Sequence, residues 1–202
     1  MNNNFSEGLL PCSKCGRETA IRIYSSVNAG ECPELKETVR TGRAFVWECP
    51  ACGTANVLNR PFLYTDPEFK IILLLTGGLN GEALSSSGEV QGYTTRQVAS
   101  AGDLIEKIKI FEAGLDDVAI EMCKYVTLQE LGKEVDLKFF KMDGADQEII
   151  LTYPGNGQME MLQIGFNVYQ DCCGILSRNP AIAEKAKGLV RVDQAWLSNF
   201  IR

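Results

Sequence analysis

The sequence predicts an α+β protein: an N-terminal β region built around four cysteines, a helical segment packed with it, and a C-terminal antiparallel meander followed by helices. Three observations predict it. Two Cys-x-x-Cys-Gly motifs lie beside short alternating segments, one apolar stripe recurs at helical spacing, and three strand-length segments are separated by turn signals. A chain of 202 residues can bury a core without disulfides.

The β region runs from about Leu9 to Asp66, after a polar tail over residues 1–8. Thr19 to Tyr24 and Ala44 to Glu48 alternate, and Asn56 to Leu58 follows the second cysteine pair, so each strand lies near a cysteine pair. Between them Pro33 to Arg40 reads as a short helix with proline in its first turn, ended near Gly42. The next region, residues 67–130, opens with a buried strand over Lys70 to Thr76. Gly77 to Gly92, rich in Gly and Ser, reads as a mobile loop or a long hairpin tip, and Tyr93 to Val98 as an edge strand.

The strongest helical signal follows. Leu104, Ile108, Phe111, Leu115, Val118, Met122 and Val126 recur at spacings of three and four. Ser100 and Asp103 are candidate caps, with Glu106 three residues after Asp103 in a capping-box pattern, and Gly114 divides the stripe into two helices, the second capped by Asp116. Residues 131–202 form the last region. Val135 to Lys141, Gln147 to Tyr153 and Gln158 to Ile164 are strand-like, broken by Asp143-Gly144 and Pro154 to Gly157. Asn179-Pro180 supplies a cap and first-turn proline for a helix over Ala181 to Lys187, stopped by Gly188, and a last short helix starts at Asp193.

Composition narrows the function classes. A net charge of −6 and the lack of any basic run argue against nonspecific binding to nucleic acid or membrane surfaces. The first residues lack a charged segment followed by an apolar one, and the longest apolar run, Ile71 to Leu75, is too short to span a bilayer, so a cytoplasmic protein with reduced thiols is expected. Histidine is absent, which removes imidazole ligands and His-based triads.

Cys12-Ser13-Lys14-Cys15-Gly16 and Cys49-Pro50-Ala51-Cys52-Gly53 carry the chemistry. A two-residue gap turns both sulfurs of a pair inward from one tight turn, and the trailing glycine suits a positive φ. One such pair fits a redox motif; two fit a single metal ion held by Cys12, Cys15, Cys49 and Cys52. An all-thiolate tetrahedral set favours structural zinc, one ion per chain, in a zinc-ribbon-like region enlarged by the inserted short helix. Such a site is closed to water and stabilises the fold. Cys32 reads as a bystander, and Cys123, Cys172 and Cys173 as buried or half-buried thiols.

These residues resemble the CpXC domain family, bacterial and archaeal proteins named for paired Cys-Pro-X-Cys motifs. The resemblance spans Leu10 to Val126 and rests on both knuckles, on Ser26-Val27-Asn28 with Pro33 to Lys36, on Phe45 to Pro50, on Phe62 to Asp66, and on Leu104 to Asp117. Val190 to Trp196 is similar to full-length members. Ser13 stands where the family pattern has proline. The resemblance implies zinc binding and no particular reaction.

The leading functional reading is therefore a non-catalytic zinc module that binds another protein. Three alternatives stand beside it. Lys14, Arg17, Arg22, Arg40, Arg43 and Arg60 would be the basic face of a nucleic-acid-binding ribbon, and four thiolates near Phe45 and Trp47 also suit a rubredoxin-like iron carrier. An enzyme remote from the metal would draw on Asp116, Asp117 and Asp193, although acidic residues in a first helical turn ordinarily complement the helix dipole.

Overall fold

The computed structural model describes residues 5–77 and 90–201, and within it the chain is an α+β protein that divides into two compact units, Met1–Ile105 and Glu106–Arg202. Most of the Gly/Ser segment expected as a loop lies outside the described residues.

In the first unit, β1 (Phe5–Pro11) pairs antiparallel with β2 (Glu18–Tyr24), from Phe5 opposite Tyr24 to Pro11 opposite Glu18. Pairing thus starts at Phe5, inside the segment read as a tail; Phe5 is held by the Tyr24 ring and by the Arg22 guanidinium 4.5 Å above its own. After β3 (Ser26–Asn28), α1 (Pro33–Arg40) starts on its proline, and a 3-10 turn at Arg43–Phe45 leads into β4 (Val46–Glu48), which pairs antiparallel with β5 (Ala55–Val57). The two hairpins are separate two-stranded sheets.

Among the described residues the other strands of the unit form a four-stranded sheet ordered β3, β6 (Phe62–Asp66), β7 (Ile71–Leu75), β8 (Thr94–Val98). β3 runs parallel to β6 and β8 parallel to β7, while β6 and β7 are antiparallel. Phe62, Tyr64, Ile71, Leu73 and Leu75 are buried at every second position, as period-two alternation requires. Asp66 extends that series as a buried carboxylate, satisfied by the Tyr64 hydroxyl at 3.0 Å and by Lys36 of α1 at 2.9 Å.

Helix α2 (Ala101–Glu112) begins on a capping box. The Ser100 hydroxyl accepts from the Asp103 amide at 3.1 Å, and the Asp103 carboxylate accepts from the Ser100 amide at 3.0 Å. Asp103 is thus the reciprocal partner of Ser100, and Glu106 is released for another task. Gly114, at φ 71°, does divide the stripe, and the Asp116 carboxylate accepts from the amides of Val118 and Ala119 to cap α3 (Asp117–Leu131).

In the second unit, β9 (Lys138–Asp143), β10 (Glu148–Gly155) and β11 (Gln158–Ile164) form the antiparallel meander with β10 central. Phe139, Ile149, Leu151 and Tyr153 of its inner face pack with Ile110, Leu115, Ile120 and Leu137. Helix α4 (Phe166–Arg178) then covers Met122 and Cys123 of α3 with Cys172, together with Leu197 of α6 (Gln194–Leu197). The intervening α5 (Pro180–Lys185) begins on Pro180 as expected. Asn179, however, makes no side-chain cap for it; its amide donates to the Ile175 carbonyl and closes α4 instead. No helix among the described residues is long and apolar enough to cross a membrane.

Candidate metal centre

Each hairpin ends in a knuckle, and the two knuckles have the same backbone wiring. The Cys12 amide donates to the Arg17 carbonyl at 3.0 Å and the Gly16 amide to the Cys12 carbonyl at 2.9 Å. In the second, Cys49 donates to Thr54 and Gly53 to Cys49, both at 2.9 Å. Gly16 and Gly53 sit at φ 72° and 67°, left-handed values that a side chain would strain.

The knuckles meet. Cys12 Sγ lies 3.6 Å from Cys52 Sγ, Cys15 Sγ lies 3.7 Å from Cys49 Sγ, and all four sulfurs fall within 4.8 Å of one another. Four sulfurs at about 2.3 Å from a tetrahedral ion stand about 3.8 Å apart. The cluster therefore has the size, number and softness of donors that fit one thiophilic metal ion. Cys12 and Cys49 are buried while Cys15 and Cys52 face solvent, so the cluster has an inner and an outer side.

The surroundings favour thiolates unevenly. Backbone amides of Cys15 and Lys14 hold the Cys12 thiol down to about 6, with help from Cys52 and the Asn56 carboxamide. Cys52 is lowered by the Thr54 hydroxyl at 3.3 Å and by the Thr54 amide. The Arg17 amide acts to lower Cys15, but the neighbouring Cys52 thiol, desolvation, and the thiols of Cys49 and Cys12 together outweigh it and push Cys15 up to about 11. Four thiols crowded together resist shared ionisation, which a cation at their centre relieves.

The remaining candidates fall elsewhere. Cys32 stands at the N-terminus of α1, outside the cluster, and Cys123 and Cys172 are buried in the α3, α4 and α6 core. Among the basic candidates, all six are exposed; Arg40 pairs with Glu37 at 3.3 Å, and Arg43 donates to the Thr41 hydroxyl. The acidic candidates are structural in their contacts. Asp116 and Asp193 cap α3 and α6, the latter through the Trp196 amide.

Asp117 belongs to a buried ionic network. Lys107 Nζ reaches Asp117 at 2.8 Å and Glu121 at 3.6 Å; Lys124 Nζ reaches Glu121 at 2.9 Å and Glu106 at 2.5 Å. Glu106 also accepts from the Phe139 amide, and Gln194 donates to the Glu121 carboxylate and carbonyl. Burial pushes Glu121 upward, yet Lys124 and Lys107 outweigh it and hold the carboxyl below its ordinary range. The network was not legible in the sequence, although Glu106, Lys107, Asp117, Glu121 and Lys124 fall on one helical stripe across Gly114.

An α+β protein whose two hairpin knuckles converge on a four-sulfur cluster is the class that this fold and site define. Within it, the chain belongs to the CpXC family: the CpXC protein family model matches residues 10–124, more than half of the 202 residues and all four clustered cysteines. No curated protein matches the chain, and no solved structure matches it.

Proposed function

We propose that Cys12, Cys15, Cys49 and Cys52 hold one structural zinc ion, and that the stapled hairpins form a non-catalytic module that docks another protein in the cytoplasm. The observation that carries this reading is the pairing of a closed four-sulfur cluster with apolar side chains left in solvent on the strands it joins. Leu9 is 65% exposed, and Val46 and Val57, directly opposite on β4 and β5, are 43% and 74% exposed. Bound zinc supplies no open coordination position here, so its chemistry is cross-linking, with folding free energy on the order of 10 kcal/mol. The thiolates hold the ion; the strands present the surface. Exposed aliphatic residues on short rigid hairpins suit a partner surface with an apolar centre.

Elemental analysis joined to native mass spectrometry tests the metal half, with one zinc per colourless chain expected; one iron with a charge-transfer colour would replace zinc by the electron-carrier reading. For the docking half, a photo-crosslinker at Val57 should trap one reproducible protein in cells of the native host. Leu9→Ser with Val46→Ser should abolish that product, and an undiminished product would overturn the assigned surface.

A further inference from the structure

Asn56, on β5, is 7% exposed and spends every polar atom of its side chain between the two knuckles. Its Oδ1 accepts from the Ser13 amide of the first knuckle at 2.8 Å. Its Nδ2 donates to the Thr54 carbonyl of the second at 2.8 Å and to Cys12 Sγ at 3.7 Å. The orientation of the carboxamide is fixed by these partners, since a flipped amide would set its NH2 against the Ser13 N–H and its oxygen against a carbonyl and a sulfur.

The two knuckles differ at one position that explains why Ser13 is used. Their backbone turns are equivalent, and the residue after the first cysteine is Ser13 in one and Pro50 in the other. Proline has no N–H. A proline at position 13 would leave Asn56 Oδ1 buried without its donor, so serine at 13 and asparagine at 56 form a matched pair across 43 residues.

We propose that Asn56 is the positioning residue that locks the two knuckles in register and aims Cys12 at the metal, with Ser13 as its required partner. This rests on the reading that the four sulfurs hold an ion. Asn56 itself is not a ligand. Its NH2 satisfies an outward lone pair of the Cys12 thiolate, and its oxygen ties the first knuckle to β5, so the folded hairpins hold the four sulfurs in one geometry around the ion. Partners of this kind around a metal site alter affinity by about 10–100-fold.

The test is a double-mutant cycle on the full chain, Ser13→Pro, Asn56→Ala and both together. Zinc dissociation constants come from competition with a chromogenic chelator, and the thiolate environment from the 113Cd resonance of the cadmium-loaded protein. Asn56→Ala should weaken zinc about tenfold or more, and Ser13→Pro about fivefold, the worth of one hydrogen bond. The double variant should match Asn56→Ala alone, with a shifted 113Cd resonance in each. Constants within twofold of the native chain, or single effects that simply multiply, would overturn the proposal. If Asn56→Ala does not fold, Asn56→Asp decides: it keeps the shape and the Ser13 bond but loses the donors, and native affinity in that variant would sink the idea. A native chain that binds no metal would remove this inference together with the reading beneath it, whereas normal native binding with indifferent variants would remove the inference alone.

Discussion

The two units solve the problem of confining charge in opposite ways. In the first, four sulfurs gather at the ends of two small hairpins, and among the described residues no cationic side chain is a hydrogen-bond partner of theirs, a donor set suited to a cation from outside. In the second, the buried carboxylates of Glu106, Asp117 and Glu121 are met by the ammonium groups of Lys107 and Lys124, with the half-buried Lys138, shared with Asp136, at the edge. Folding of the hairpins is expected to respond to metal supply, and folding of the helical unit to the ionisation of its buried pairs.

Removing one sulfur should have the largest effect. Cys49→Ser deletes a buried ligand, and competition with a chelator should show metal binding reduced to background, since a three-sulfur set forfeits much of a staple on the order of 10 kcal/mol. Helix content should stay near native. Glu121→Ala reverses the comparison: it leaves Lys107 and Lys124 buried without one acceptor, which should cost about 3–5 kcal/mol in urea unfolding of the helical unit while metal stoichiometry stays at one.

Acid separates the units next. Glu121 is held below its ordinary range, so its contribution is present above about pH 4 and is lost as pH falls through the lowered value. Lys124 is raised, because the carboxylates of Glu121 and Glu106 outweigh its desolvation, so its contribution is present below about pH 10.5 and is lost as pH rises through the raised value. Metal held by thiolates is displaced by protons sooner. At pH 5 the metal should be released while the far-ultraviolet circular dichroism keeps its helical signal; helix loss ahead of metal release would reverse the assignment. The smallest effect is at a cap: Asp116→Ala should lower the stability of the helical unit by about 1 kcal/mol, read from the urea midpoint, without touching the metal.

What could be read from the sequence follows the range of the interactions. The four cysteines were legible because ligand spacing is local within each knuckle, and α1, β7, β11 and the break at Gly114 were legible from proline, glycine and apolar period. Asn56 was not, because its meaning depends on Ser13 and Cys12, more than forty residues earlier. Lys107 and Lys124 were not, because a charged residue on a helix is ordinarily solvated and only tertiary packing buries it. Helix α4 escaped although Phe166, Tyr169, Cys173 and Leu176 stand at helical spacing, since Gly165 in place of a capping side chain gave no start signal. The order of the four-stranded sheet, with its parallel β3 and β8, rests on contacts that no local pattern encodes.

Hydrogen exchange on the metal-loaded and the metal-stripped, reduced chain reads whether the ion staples the two hairpins. Chelation should strip protection from the amides of residues 5–24 and 46–57. The strands β6 and β7 and the helices of the second unit should keep theirs. Equal protection of both hairpins with and without metal, in a chain shown to bind one ion when loaded, would contradict the staple.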